Sequence, residues 1–216
     1  MDYRDSVDLS DSRTQRASGG GGGGRMALGG GVGGLVLMLL VVFVGPRFGI
    51  NVSDLLGSSS GQDTQPAVQG SDLDHCKQKD VNVNTNRECR WLLYEKVLQS
   101  YWSKTATNYK YATVKLFSGT INTACGVGQT EMGPFYCSGD STVYIDDSYV
   151  GQLLKQLGAS GGDAAELYIV AHEFGHHIQN LDGTMRKVTR GTGADSAQVR
   201  LELQADCYAG VVFNQV

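Results

Sequence analysis

The sequence predicts an α+β fold, a mainly helical domain with a small β-sheet, preceded by a disordered N-terminal tail and a single transmembrane helix. Three observations carry this expectation. Four stretches beyond residue 87 place apolar residues at helical spacing, two short runs are rich in β-branched and aromatic residues, and an uncharged stretch of twenty residues precedes them all. At 216 residues the chain holds one domain of ordinary size plus accessory segments.

Residues 1–25 are polar and end in the glycine run Gly19–Gly24, a composition that buries no core, so they read as a disordered cytoplasmic tail. Residues 26–45, MALGGGVGGLVLMLLVVFVG, lie uncharged between Arg25 and Arg47 and match the thickness of a bilayer at helical rise. The long tail before them and VGPRFGIN after them favour an uncleaved anchor over a signal peptide. Arg13, Arg16 and Arg25 precede the span and Arg47 alone closely follows it, which places the N-terminus in the cytoplasm and the rest outside the cell membrane. The lipid bilayer is thus one expected partner, through residues 26–45. Residues 46–71, with SSSGQDTQPAVQGS, read as a flexible linker, and residues 72–216 as the folded domain.

Within that domain Arg87–Trp102, Tyr149–Leu157, Asp163–Leu181 and Ser196–Phe213 read as helices, with Asp163 and Ser196 as N-caps. Ala112–Phe117 and Thr142–Ile145 read as strands, and Asp182–Asp195, with three glycines, as a loop. The formal net charge is −4 and no Lys/Arg stripe appears, which excludes nucleic acid as a partner. Five cysteines are present, and neither close pair has C-x-x-C spacing. Outside the cytoplasm, Cys76–Cys89 and Cys125–Cys137 are natural disulfides closing short loops, with Cys207 left over; other pairings, or free thiols in a reducing compartment, are the alternatives.

The chemistry concentrates in AAELYIVAHEFGHHIQN, residues 164–180. His172, Glu173 and His176 form H-E-x-x-H. Imidazoles at i and i+4 project from one side of a helix and can share one Zn²⁺, while Glu173 beside them can take a proton from a water in the open metal position. His177 points to another face and reads as structural. Two residues compete to be the third protein ligand. Asp182 stands six residues after His176, the spacing of H-E-x-x-H-x-x-G-x-x-H, but Gln179 occupies the position where that pattern needs glycine. Glu202 and Asp206 stand at i and i+4 on the last helix, in the apolar context VRLELQADCYAGVVF. Glu202 is the preferred ligand, and Asp206 would accept the free N–H of a ligating histidine.

H-E-x-x-H followed by E-x-x-A-D resembles the gluzincin type of zinc peptidase. More narrowly, the chain resembles the bacterial putative neutral zinc metallopeptidase family. The resemblance rests on the glycine-rich tail and anchor, GPFYC at 133–137, VYID at 143–146, AHEFGHHIQN at 171–180 and LELQADCYAG at 201–210. It implies a zincin-like domain with one zinc at His172, His176 and Glu202, Glu173 as the catalytic residue, and a peptide or protein as substrate. Family members usually continue well beyond the ADCYAG segment, so the chain is expected to be C-terminally short and to lack a downstream oxyanion-stabilising His or Tyr. In zincins a peptide often pairs with an edge strand above the metal helix, and Thr142, Val143, Tyr144 and Ile145 are the candidate strand.

The expected function is therefore a membrane-anchored zinc metalloendopeptidase. The alternative is a non-catalytic zinc-containing membrane scaffold or regulator on the same fold. A di-iron carboxylate protein is disfavoured, because Glu173-Phe-Gly-His176 is a single Glu-x-x-His where such bundles need two.

Overall fold

The computed structural model describes residues 3, 7–17, 73–156, 162–189, 191 and 193–215. Helix α1 (Arg87–Thr105) starts where the Asn86 side chain accepts the Cys89 N–H at 3.4 Å. It buries Trp91, Leu92, Tyr94, Leu98 and Trp102 in the main core. Strand β2 (Thr113–Phe117) follows, then a hairpin of β3 (Thr120–Thr123) and β4 (Gly126–Gln129). Strands β5 (Phe135–Cys137) and β6 (Thr142–Asp146) complete the main sheet. Helices α2 (Asp147–Gln156), α3 (Asp163–Leu181), the four-residue α4 (Thr184–Lys187) and α5 (Ala197–Phe213) close the chain.

The main sheet runs β1-β2-β6-β5, where β1 is Thr14–Arg16. Strands β1, β2 and β6 are parallel, and β5 is antiparallel to β6. Helix α3 lies between this sheet and α5, and also touches α1. Two disulfides are present. Cys76–Cys89 joins the 3₁₀ turn Leu73–Lys77 to α1, and Cys125–Cys137 ties the hairpin to β5.

Several expectations are corrected. Among the described residues the fold is mixed α/β, with five helices and two sheets, rather than a mainly helical α+β domain. The polar tail is not wholly disordered, because Thr14–Arg16 forms an end strand of the main sheet, in register Thr14↔Val114 to Arg16↔Leu116. Leu9 is fully buried in the core, and Ser12 Oγ and the Arg13 N–H donate to the buried Glu95 at 2.8 and 3.2 Å. The folded body therefore starts well before residue 72.

This packing also overturns the membrane topology. The segments expected as anchor (26–45) and linker (46–71) lie outside the described residues, and no helix among the described residues is long and apolar enough to cross a membrane. Residues 14–16 precede the apolar run and residues 113–117 follow it, yet they pair in one sheet, which a single crossing forbids. The arginines that suggested an orientation are committed to the fold: Arg13 lies over the Tyr111 ring at 4.5 Å, and Arg16 pairs with Glu88. A single-pass anchor with a cytoplasmic N-terminus is accordingly withdrawn.

Thr142–Ile145 is not an edge either. Strand β6 is flanked by β2 and β5 and is buried throughout, so its backbone cannot pair with a substrate. The strand beside it that ends the sheet is β5.

Candidate metal centre

Helix α3 is apolar around much of its circumference and buries twelve residues, among them His172, Glu173, His176 and Gln179. Gly162, rather than Asp163, is its N-cap; Asp163 is its first residue and its carboxylate pairs with Arg90. Ser196 caps α5 as expected, accepting the Val199 N–H at 3.2 Å. The two helices meet where Gly175 faces Ala205. A Cβ on Gly175 would lie 2.9 Å from both the Cα and the carbonyl oxygen of Ala205. Glycine at this point lets the backbones approach and brings Glu202, one turn before Ala205, over the histidines.

Three side chains converge there. Nε2 of His172 lies 3.3 Å from Glu202 Oε2, and Nε2 of His176 lies 3.2 Å from the same oxygen. The imidazole centroids are 4.8 Å apart with planes nearly perpendicular. Each residue is about 2 % exposed. His172 Nδ1 is 2.7 Å from Asp206 Oδ1, which also accepts from the Tyr168 hydroxyl at 2.6 Å. His176 Nδ1 is 2.8 Å from Gln179 Oε1. Asp182, the rival third ligand, is elsewhere: it is exposed at the end of α3, and its Oδ1 accepts the Thr184 N–H at 2.7 Å.

The carboxylates dominate the electrostatics of the two histidines. Burial alone would depress His172, but hydrogen bonds to Asp206 and Glu202, with Glu173 nearby, raise its pKa to about 10. Burial likewise opposes charging of His176, and Glu202 and Glu173 outweigh it. Burial would raise Glu202 and Asp206, yet contacts with the histidines hold both low. Glu173 is raised by desolvation, although the Tyr136 backbone N–H donates to it.

The donor set fits zinc. Ligands at 2.0–2.1 Å in a tetrahedron stand about 3.4 Å apart, close to the 3.2 and 3.3 Å separations around Glu202 Oε2. His176 Nε2, Glu202 Oε1 and Glu173 Oε2 are buried without a hydrogen-bond partner among the described residues. His172 Nε2 meets Glu202 Oε2 in hydrogen-bond geometry, whereas His176 Nε2 approaches the same oxygen outside it. Such orphaned atoms are costly in a protein interior unless a ligand meets them.

Two features of the site escaped the sequence reading. Gln179 was weighed only as a glycine missing from another pattern, whereas it bonds to His176. Tyr136 of β5 reaches the far side of α3: its hydroxyl lies 2.9 Å from His177 Nδ1 and accepts from Asn180 at 2.9 Å. His177 Nε2 donates to the Lys110 carbonyl at 2.6 Å, and burial lowers its pKa, in keeping with a neutral structural imidazole.

Two histidines one turn apart, an acid from a second helix and a buried carboxylate with one orphaned oxygen form a cluster whose donor atoms can meet a metal ion. The chain belongs to the putative neutral zinc metallopeptidase family, which it matches over residues 1–216. The uncharacterized protein Rv2575 of Mycobacterium tuberculosis is 40% identical over 166 residues, 76% of this chain and 56% of that protein. The uncharacterized protein YpfJ of Escherichia coli K12 is 36% identical over 181 residues, 80% of this chain and 60% of that protein. The chain thus spans under two thirds of the length of these relatives. No solved structure matches it.

Proposed function

We propose that this chain is a zinc-dependent metallopeptidase that hydrolyses peptide bonds, with His172, His176 and Glu202 holding the metal and Glu173 as general base and acid. The observation that carries the reading is the convergence of His172 Nε2, His176 Nε2 and Glu202 Oε2 beside the orphaned Glu173 Oε2. When bound there, zinc supplies Lewis acidity toward a water and a substrate carbonyl. Glu173 lies near enough to His176, His172 and Glu202 for their charges to act on its carboxyl. Its raised pKa suits a group that accepts a proton from the attacking water at Oε2 and returns it to the leaving amine. Asp206 and Gln179 accept the Nδ1 protons of the two histidines, which makes the Nε2 atoms, both turned toward Glu202, the ones to ligate. Strand β5, which ends the sheet beside α3, replaces Thr142–Ile145 as the backbone next to Glu173.

One observation favours a second reading. Glu173 is only 3 % exposed, a burial that suits a non-catalytic zinc-containing scaffold or regulator. Metal analysis of the purified chain, with cleavage of a broad peptide library by wild type and Glu173→Gln, separates the two. One zinc in both proteins and cleavage by wild type alone is the expected result. Zinc in both with no cleavage selects the scaffold, and no zinc in either overturns the site.

A further inference from the structure

Gln179 is fully buried and stands three residues after His176, one turn along α3. Its amide nitrogen donates to the Leu201 carbonyl at 2.7 Å and to Gln204 Oε1 at 3.0 Å, both on α5. A backbone carbonyl only accepts, so the Leu201 contact fixes which end of the Gln179 amide is nitrogen. The remaining end, Oε1, therefore faces His176 Nδ1 at 2.8 Å. An amide oxygen also only accepts, so His176 carries a proton on Nδ1, and Nε2 is the ring atom turned toward Glu202. Leu201 immediately precedes Glu202 and Gln204 follows two residues later, so the contacts on α5 bracket the acidic residue.

From this geometry we infer that Gln179 is a positioning residue with two tasks. It sets the tautomer of His176 on one helix and holds the segment that carries Glu202 on the other. The inference rests on the reading of His172, His176 and Glu202 as metal ligands, and it names a residue outside that set. The two histidines are then held differently: His172 donates to the carboxylate of Asp206, and His176 to a neutral amide. Both partners belong to, or are bonded to, α5, so the placement of α5 governs both imidazoles at once.

The test compares the zinc affinity of the full chain as wild type, Gln179→Ala and Gln179→Glu, by competition with a chromophoric chelator, alongside thermal unfolding. Gln179→Ala removes acceptor and donor, and affinity is expected to fall about 10–100-fold. Gln179→Glu keeps an oxygen opposite His176 Nδ1 but sets another against the Leu201 carbonyl. Its affinity is expected to return to within a few-fold of wild type, while its unfolding temperature drops as far as that of Gln179→Ala. A Gln179 that merely staples α3 to α5 would leave Gln179→Glu at least as weak as Gln179→Ala, and that result overturns the tautomer role. Wild-type affinity in Gln179→Ala overturns the proposal outright. A wild-type chain that takes up no zinc would instead remove the metal reading beneath it, so the two failures are distinguishable.

Discussion

Gly175→Ala probes the contact that brings Glu202, the acidic third member of the cluster, to the histidines. The new Cβ would stand 2.9 Å from Ala205 Cα and carbonyl oxygen and 3.1 Å from Ala205 Cβ. Carbon contacts are comfortable at about 3.5–4.0 Å, so α3 and α5 must part locally by about half an ångström. Overpacking of this kind costs about 1–3 kcal/mol, and replacing helical glycine by alanine returns about 1 kcal/mol. Net stability therefore falls by only about 0–2 kcal/mol, and the chain still folds. A metal site is less forgiving, because ligand distances hold to within about 0.2 Å. Glu202 lies one turn from Ala205 and moves with it, so zinc affinity is expected to fall on the order of 10–100-fold. Chelator competition measures the affinity, and denaturant unfolding of metal-free protein measures the stability. Gly210→Ala, on the open side of α5 with nothing within 4 Å, is the control. It should keep wild-type affinity and gain up to about 1 kcal/mol. If Gly175→Ala binds zinc within twofold of wild type, close helix approach is not what places Glu202.

Asp206→Asn weakens the hydrogen bond at His172 Nδ1 and should lower zinc affinity by roughly 10–100-fold with little change in the circular dichroism spectrum. Chelation should lower the unfolding temperature, and zinc at a thousand times its dissociation constant should restore about 4 kcal/mol; equal unfolding temperatures would count against a metal in this cluster. Glu95 is raised by burial despite accepting from Ser12, Gln99 and Arg13. The folded chain then holds that proton more tightly than the unfolded one. Stability should fall as pH rises from the ordinary carboxyl value through the raised one, and urea titrations should show this slope shrinking in Glu95→Gln.

The parts of the site legible in the sequence are those governed by local geometry. His172 and His176 share a helical face by spacing alone, and Glu202 and Asp206 do so on α5. The choice between Asp182 and Glu202 was also local, since Asp182 bonds to an amide two residues on. Gln179 was illegible because its role depends on Leu201 and Gln204, over twenty residues away. The long helices α1, α3 and α5 were readable from periodicity. Strand β5 has three residues and the β3–β4 hairpin is rich in glycine, so neither carries a run that propensity can recognise. Strand β1 is the polar tripeptide Thr-Gln-Arg, paired with β2 about a hundred residues later. Only that pairing makes it a strand, and without it the arginines nearby looked like a topology signal.

Strand β1 also determines where this chain can be cut. Trimming it to begin at residue 72 would strip β1 from β2, whose other edge is occupied by β6. The exposed edge would offer unpaired N–H and C=O groups beside Val114 and Leu116, a template on which two copies could exchange strands. Ser12, Arg13 and the Glu95 they satisfy would be separated as well. The N-terminal seventeen residues are therefore better kept in any shortened protein, with excision confined to the connection between residues 18 and 72.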